Sequence, residues 1–141
     1  MFKKTAFLLA LSLCATPSHA DPVETRRAAM DQVRVGAATL VPMIKGETEF
    51  DPVIAELALR MTYAAALAFE GDLFPEGSTS KGANPNIWAT LEDFDAKRAD
   101  FSADAAMAVK AKPMDLDALK AAYQPLLEDC AACHKAYRIK N

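Results

Sequence analysis

The segment from Cys130 to His134 constrains the fold more than any other part of the sequence. It reads C-A-A-C-H, with two thiols three residues apart and an imidazole directly after the second. C-x-x-C-H is the attachment motif of a c-type haem, in which both thiols form thioether bonds and the imidazole ligates the iron. Positions i, i+3 and i+4 share one face of a helix. We therefore expect a helix that turns Cys130, Cys133 and His134 inward, with one covalently attached haem c.

The first twenty residues have the pattern of a cleaved export signal. Lys3 and Lys4 precede a short apolar run at residues 6–15, and small residues flank His19 at the expected cleavage site. The apolar run is too short to span a bilayer. We expect a signal peptide over residues 1–20 that is cleaved after Ala20. The mature protein would then be periplasmic, without a membrane anchor, and would form a single domain over residues 21–141.

Cleavage changes the composition in an informative way. It removes Cys14 and His19, so the remaining cysteines and histidine all belong to the motif. Removing Lys3 and Lys4 from 16 basic residues leaves 14 against 19 acidic ones, a net charge of −5. This acidic balance gives no indication of nucleic-acid binding, which needs a basic face. Export also means an oxidising compartment, where thioether bonds would protect the two thiols from oxidation.

The mature sequence predicts four amphipathic helices and almost no strand. Asp-Pro pairs at residues 21–22 and 51–52 and Asn-Pro at 84–85 are typical helix starts, and Asp115 follows a breaking proline. The predicted helices cover residues 22–45, 52–71, 84–112 and 115–141, with one long loop over residues 72–83. The predicted fold is all-α, an antiparallel four-helix bundle with covalently bound haem.

The position of the motif gives a specific resemblance. C-A-A-C-H-K-A-Y-R ends a four-helix chain, whereas class I cytochromes c have C-x-x-C-H near the N-terminus. K-G-E after the first helix, L-F-P-E-G after the second and N-I-W-A-T-L-E-D-F in the third extend the similarity. Over the whole mature chain, the sequence resembles the class II cytochromes c, the cytochrome c′ family.

The resemblance implies further site residues. In that family an arginine on the first helix approaches a haem propionate, and a residue one turn later faces the open side of the iron. Counted back from K-G-E, these positions are Arg26 and Met30. The family's basic residue four positions after the histidine, which lies near the haem, corresponds to Arg138. A guanidinium can bind a carboxylate through two hydrogen bonds, and a thioether is a suitable ligand for haem iron.

Two functions follow from two branches of the family. Where a methionine at the position of Met30 ligates the iron, the haem is six-coordinate and low-spin and carries electrons. Where the iron stays five-coordinate and high-spin, it binds nitric oxide or carbon monoxide. The loop motifs here look closer to the low-spin branch. We therefore expect a single-haem electron carrier, not an enzyme, that exchanges electrons with redox partner proteins.

Other classes of protein fit the sequence less well. One C-x-x-C with one histidine supplies too few ligands for zinc, and the strands of a thioredoxin-like dithiol protein are missing. A haem peroxidase would need a distal acid–base group, for which the sequence has no candidate. The resemblance leaves the chain as a monomer or a homodimer, because family members often dimerise through their first two helices.

Overall fold

The computed structural model describes residues 21–139, which contain five α-helices and no strand. The helices are α1 (Pro22–Lys45), α2 (Pro52–Glu70), α3 (Asn86–Ala89), α4 (Leu91–Ala111) and α5 (Leu116–Tyr137). The four long helices pack together as a bundle, which confirms the predicted all-α architecture. The predicted signal peptide at residues 1–20 lies outside the described residues.

Three of the long helices begin at an aspartate that caps the backbone. The carboxylates of Asp21, Asp51 and Asp115 accept hydrogen bonds of 2.8–3.0 Å from N–H groups two or three residues further on. A proline follows the first two, in the first turn, where its missing N–H costs no helical hydrogen bond. Gly46 ends α1 with a φ of 74°, a left-handed conformation that glycine adopts without strain.

The predicted third helix is interrupted. The sequence predicts one helix over residues 84–112, but Thr90 has a φ of −136° and a ψ of 50°, which separates α3 from α4. The Thr90 hydroxyl donates to the Asn86 carbonyl oxygen at 3.0 Å and lies 2.9 Å from the Tyr137 hydroxyl. Threonine side chains that hydrogen-bond to nearby backbone compete with helix formation. The second partner of Thr90, Tyr137, lies at the end of α5, far from Thr90 in the sequence. The prediction of a continuous helix is therefore wrong at Thr90.

The last helix stops before the predicted C-terminal end. α5 ends at Tyr137, and Arg138 is extended, with a φ of −99° and a ψ of 130°. The Asn84 N–H donates to the Tyr137 carbonyl oxygen at 2.9 Å, and the Ile139 N–H donates to the Gly82 carbonyl oxygen at 3.2 Å. These bonds hold residues 137–139 against residues 82–84.

The bundle is packed unevenly. Close packing joins α1 to α2, α2 to α4 and α4 to α5, whereas α1 and α5 have few contacts with each other. The largest core cluster contains residues from all four long helices, including Leu40, Leu59, Ala105, Leu119 and Leu126. The sparse contact between α1 and α5 leaves space between these two helices near the start of α1.

Helix α2 is apolar on more than its buried side. Its length and mean hydropathy of 1.3 are sufficient for a membrane span, a property that the core helix of a bundle also has. Seven of its residues are buried against the neighbouring helices. Four large apolar residues of α2 are nevertheless exposed, namely Val53, Ile54, Leu57 and Leu67.

Gly36 allows α1 and α2 to approach closely. A Cβ atom at this position would lie 3.1 Å from the Ala58 carbonyl oxygen and would overlap the Thr62 hydroxyl. Thr62 is buried, and its hydroxyl donates to the same Ala58 carbonyl oxygen at 3.0 Å. The position of α1 on the bundle therefore depends on the fact that residue 36 is a glycine and has no Cβ atom.

We predict that Gly36→Ala destabilises the fold. The added methyl group must displace Thr62 or separate the two helices, and overpacking of this kind costs roughly 1–3 kcal/mol. Denaturant unfolding measures the difference from the unaltered protein. Gly82→Ala is the matched control, because a Cβ atom there meets nothing within 4 Å and its stability should not fall. Equal stability of the Gly36→Ala protein would contradict the assigned helix contact.

Candidate haem-binding site

A cavity of about 700 Å³ opens between α1, α4, α5 and the loop over residues 72–83. Its volume lies within the range of about 300–1,000 Å³ that is usual for ligand and cofactor pockets. Large apolar side chains make up much of its wall, including Val33, Phe69, Phe74, Ile87, Phe94, Phe101 and Leu127. An apolar cavity of this size between the helices of a bundle suits a flat, largely apolar cofactor.

The C-A-A-C-H residues form one wall of this cavity. Cys130, Cys133 and His134 all line it, as their spacing on α5 predicts. Both cysteines are half-buried free thiols. Burial raises the pKa of each thiol, with Asp129 adding to the effect, so both are protonated at neutral pH. The two thiols are therefore separate and available on the cavity side of the helix.

His134 lies at the end of this wall, one turn before the end of α5. Partial burial lowers the pKa of its imidazole, and the positive charge of Arg138 lowers it further. The imidazole is consequently neutral at neutral pH, which is the form that binds metal ions. Arg138 also lines the cavity, although its side chain is largely exposed, and its place near the haem stays a prediction.

Helix α1 forms another part of the cavity wall. Met30 lines the cavity, with 39% of its surface exposed, one turn after Arg26. The structure therefore brings Met30 to the same cavity as His134, although the two residues are 104 positions apart in the sequence. A thioether and an imidazole are the two side-chain types that the motif and the family resemblance assign to the iron.

Arg26 is buried and attaches the long loop to α1. Its guanidinium donates to the Leu73 carbonyl oxygen at 3.1 Å, to the Ser78 hydroxyl at 3.0 Å and to the Ser78 carbonyl oxygen. It also lies 5.0 Å from the centroid of the Phe74 ring. Arg26 lines the cavity as predicted, and its role toward a propionate stays a prediction. The loop contacts of this arginine have no signal in the sequence.

Arg98 of α4 is a cavity residue that the sequence does not identify. Its guanidinium donates to the carbonyl oxygens of Phe69 and Gly71 at the end of α2 and lies 5.6 Å from the Phe74 ring centroid. Phe74 therefore has cation–π contacts with both Arg26 and Arg98, each of which also binds backbone near the loop. No spacing rule relates these three residues, because they come from three separate segments.

We predict that Arg26→Leu loosens the loop over residues 72–83. The substitution removes hydrogen bonds from a charged donor, each worth about 1.5–3 kcal/mol, so amide exchange in the loop should accelerate at least about tenfold. Hydrogen exchange followed by mass spectrometry measures this effect. Arg27→Leu is the matched control, because Arg27 is exposed. In this variant the amides of residues 72–83 should exchange at the rate of the unaltered protein. Unchanged exchange in the Arg26→Leu loop would contradict the proposed attachment.

Comparisons with known proteins identify the family of this chain. The family model described as Cytochrome C' matches residues 21–138. A cytochrome c-556 from Agrobacterium tumefaciens (strain II Chrys) is 37% identical over 86% of this chain and 100% of its own length. A second cytochrome c-556, from Agrobacterium fabrum, is 36% identical over 97% of this chain and 94% of its own.

Solved structures show the same fold. Cytochrome c′ from Rhodopseudomonas palustris superposes with a TM-score of 0.79 and 28% identity, over 87% of this chain and 99% of that one. A nitric oxide complex of a mutant cytochrome c prime from Alcaligenes xylosoxidans superposes with a TM-score of 0.75 and 27% identity, over 86% of this chain and 95% of that one. The apolar cavity, the two free thiols and the neutral imidazole fit a covalently bound haem. The chain belongs to the cytochrome c′ family of class II cytochromes c, and its cofactor is haem c.

Proposed function

We propose that this protein is a periplasmic single-haem electron carrier and not an enzyme. One observation carries the proposal: Met30 from α1 and His134 from α5 line the same largely apolar cavity. Haem c supplies a one-electron cycle between ferric and ferrous iron. The described side chains around the cavity offer two iron ligands, thioether attachment points and apolar walls that exclude water.

The α5 side of the site holds the cofactor. Cys130 and Cys133 would form the thioether bonds to haem c, and His134 would supply an imidazole nitrogen to the iron. The positions of the three residues on one helical face support this assignment, as do the free state of both thiols and the lowered pKa of the imidazole. Covalent attachment keeps the cofactor in place in both oxidation states, as an electron carrier requires.

The α1 side of the site sets the coordination. Met30 would supply the sixth iron ligand, and the haem would then be low-spin. A methionine sulfur and an apolar cavity both favour the ferrous state and raise the reduction potential. Arg26 and Arg138, both in the cavity wall, supply positive charge for the haem propionates.

The second candidate is a five-coordinate protein that binds nitric oxide or carbon monoxide. The observation in its favour is the structural similarity to a cytochrome c prime from Alcaligenes xylosoxidans in complex with nitric oxide. In this alternative Met30, which is partly exposed, packs against the ring and leaves the iron open. The two candidates share the fold and differ in the role of one sulfur atom.

Optical spectroscopy of the holoprotein distinguishes the two candidates. The oxidised protein should show a far-red band from methionine–iron charge transfer, and Met30→Ala should abolish it and lower the reduction potential. Carbon monoxide should bind to the reduced Met30→Ala protein at least about tenfold faster than to the unaltered one, because the sulfur no longer blocks the iron. Met107→Ala, a largely exposed position on α4, is the matched control and should retain the band.

A high-spin ferric spectrum in the unaltered protein, with rapid carbon monoxide binding, would contradict the electron-carrier function and favour the gas-binding function. Retention of haem after acid–acetone extraction tests the thioether bonds separately. Loss of all haem in that extraction would contradict both candidates and would favour a dithiol protein.

The exposed apolar residues of α2 form a candidate contact surface between two copies of the chain. We propose that a second copy of the chain covers them, since the resemblance implies that such proteins often dimerise through their first two helices. The exposed fraction of the residue surface is 56% for Leu57, 44% for Leu67 and 73% for Val53. Burying side chains of this kind contributes about 25 cal/mol for each Å² removed from water.

We predict that Leu57→Glu converts a homodimer to a monomer. A buried carboxylate without a partner opposes association strongly. Light scattering coupled to size-exclusion chromatography gives the molecular mass of each variant. Leu91→Glu, at a similarly exposed position on α4, should remain dimeric. A monomeric unaltered protein at micromolar concentration would contradict the dimer.

A further inference from the structure

Asp129 is an unusual residue in the wall of the haem cavity. It directly precedes Cys130 on α5 and lines the cavity. Its Oδ2 atom is screened from solvent and has no hydrogen-bond partner among the described residues. A buried carboxylate oxygen without a donor is unfavourable as an anion and becomes acceptable when it carries a proton.

The neighbouring groups on α4 and α5 are mostly acidic. Asp104 and Asp100 of α4 and Glu128 of α5 all act on Asp129. Like charges near a carboxyl group disfavour its ionised form. Burial first, and then these like charges, raise the pKa of Asp129 to about 6.

The cations around the cavity are largely engaged by other groups. On α4, Lys97 binds Asp93 at 3.1 Å and Arg98 binds Asp95 at 2.5 Å. The charged residues that line the cavity from α1 are Arg26, which binds the loop, Asp31 and Arg34, which pair at 3.1 Å, and Arg27. On α5 the other ionisable residues that line the cavity are Tyr123, Cys130, Cys133, His134 and Tyr137, with Arg138 just beyond the helix. The described residues form no ion pair with Asp129.

We propose that Asp129 is a proton-binding site coupled to the haem, so that the protein takes up one proton together with one electron. The proposal rests on the proposed electron-carrier function, but it does not depend on whether Met30 ligates the iron. An electron added to the cavity makes the local potential more negative, and the nearby carboxylate then binds a proton more tightly.

The coupled step balances charge and atoms. A one-electron donor protein supplies the electron, and solvent supplies the proton that forms an O–H bond on the Asp129 carboxylate. When an electron-acceptor protein oxidises the site, this O–H bond breaks and the proton returns to solvent. The net charge of the cavity is the same in both states, which limits the cost of moving an electron into a low-dielectric site.

The coupling predicts a particular pH dependence. Below the pKa of Asp129 in the oxidised protein, both oxidation states are protonated and the reduction potential does not change with pH. Above it, starting near pH 6, reduction must bind a proton, so the potential falls as the pH rises. Above the higher pKa of the reduced protein, the potential becomes constant again.

Potentiometric titration of the holoprotein between pH 5 and 9 tests the proposal. The unaltered protein should show a falling potential from near pH 6, and Asp129→Asn should remove this fall. Asp104→Asn removes a like charge and should move the start of the fall to lower pH. Asp117→Asn is the matched control, because this side chain on the same helix is 94% exposed and bonds Lys120. Its titration should match that of the unaltered protein.

Each other outcome has a distinct meaning. A reversible haem whose potential is constant from pH 5 to 9 would overturn the proton site and leave the electron carrier intact. A fall that persists in Asp129→Asn would also overturn it, because the haem propionates would then be the source. If Asp129→Asn fails to incorporate haem, an unchanged start in Asp104→Asn overturns the proposal. Failure of the unaltered haem to cycle reversibly would instead contradict the electron-carrier function.

Discussion

The close packing of α1 against α2 controls the geometry of the haem site. Gly36 lets the two helices meet at Ala58 and Thr62, and this contact fixes the position of α1 on the bundle. Because α1 has few contacts with α5, a cavity remains between them. Met30 lies less than two turns before Gly36 on the same helix, so the contact that holds α1 also sets how far the thioether is from His134.

A second constraint closes the cavity from the side. Arg26 on α1 and Arg98 on α4 both lie against Phe74, while their guanidinium groups bind carbonyl oxygens of the loop and of the end of α2. Ordering a loop of this length costs much conformational entropy. Two cations that share one aromatic ring offset this loss and bring positive charge to the cavity wall.

The charge of the cavity contrasts with the charge of the chain. Six basic and two acidic residues line the cavity, whereas the whole sequence has 19 acidic and 16 basic residues. The basic wall suits propionates and a reducible centre. Asp129 is an exception inside this wall, and its acidic neighbours on α4 explain why its proton affinity differs from that of an exposed carboxylate. A carboxyl in this position links the redox chemistry of the site to the proton concentration outside.

The sequence by itself determined where three long helices begin and the haem attachment motif, because these depend on residues within a few positions of one another. The amphipathic pattern of the helices also predicted the bundle. Aspartate caps, prolines and the i, i+3, i+4 spacing of Cys130, Cys133 and His134 all act locally. The tertiary structure alone decided the break at Thr90, the contacts of Arg26 and Arg98 and the surroundings of Asp129. Each of these depends on a partner from another helix or loop, and no local pattern encodes the distance between segments that meet only when the chain folds.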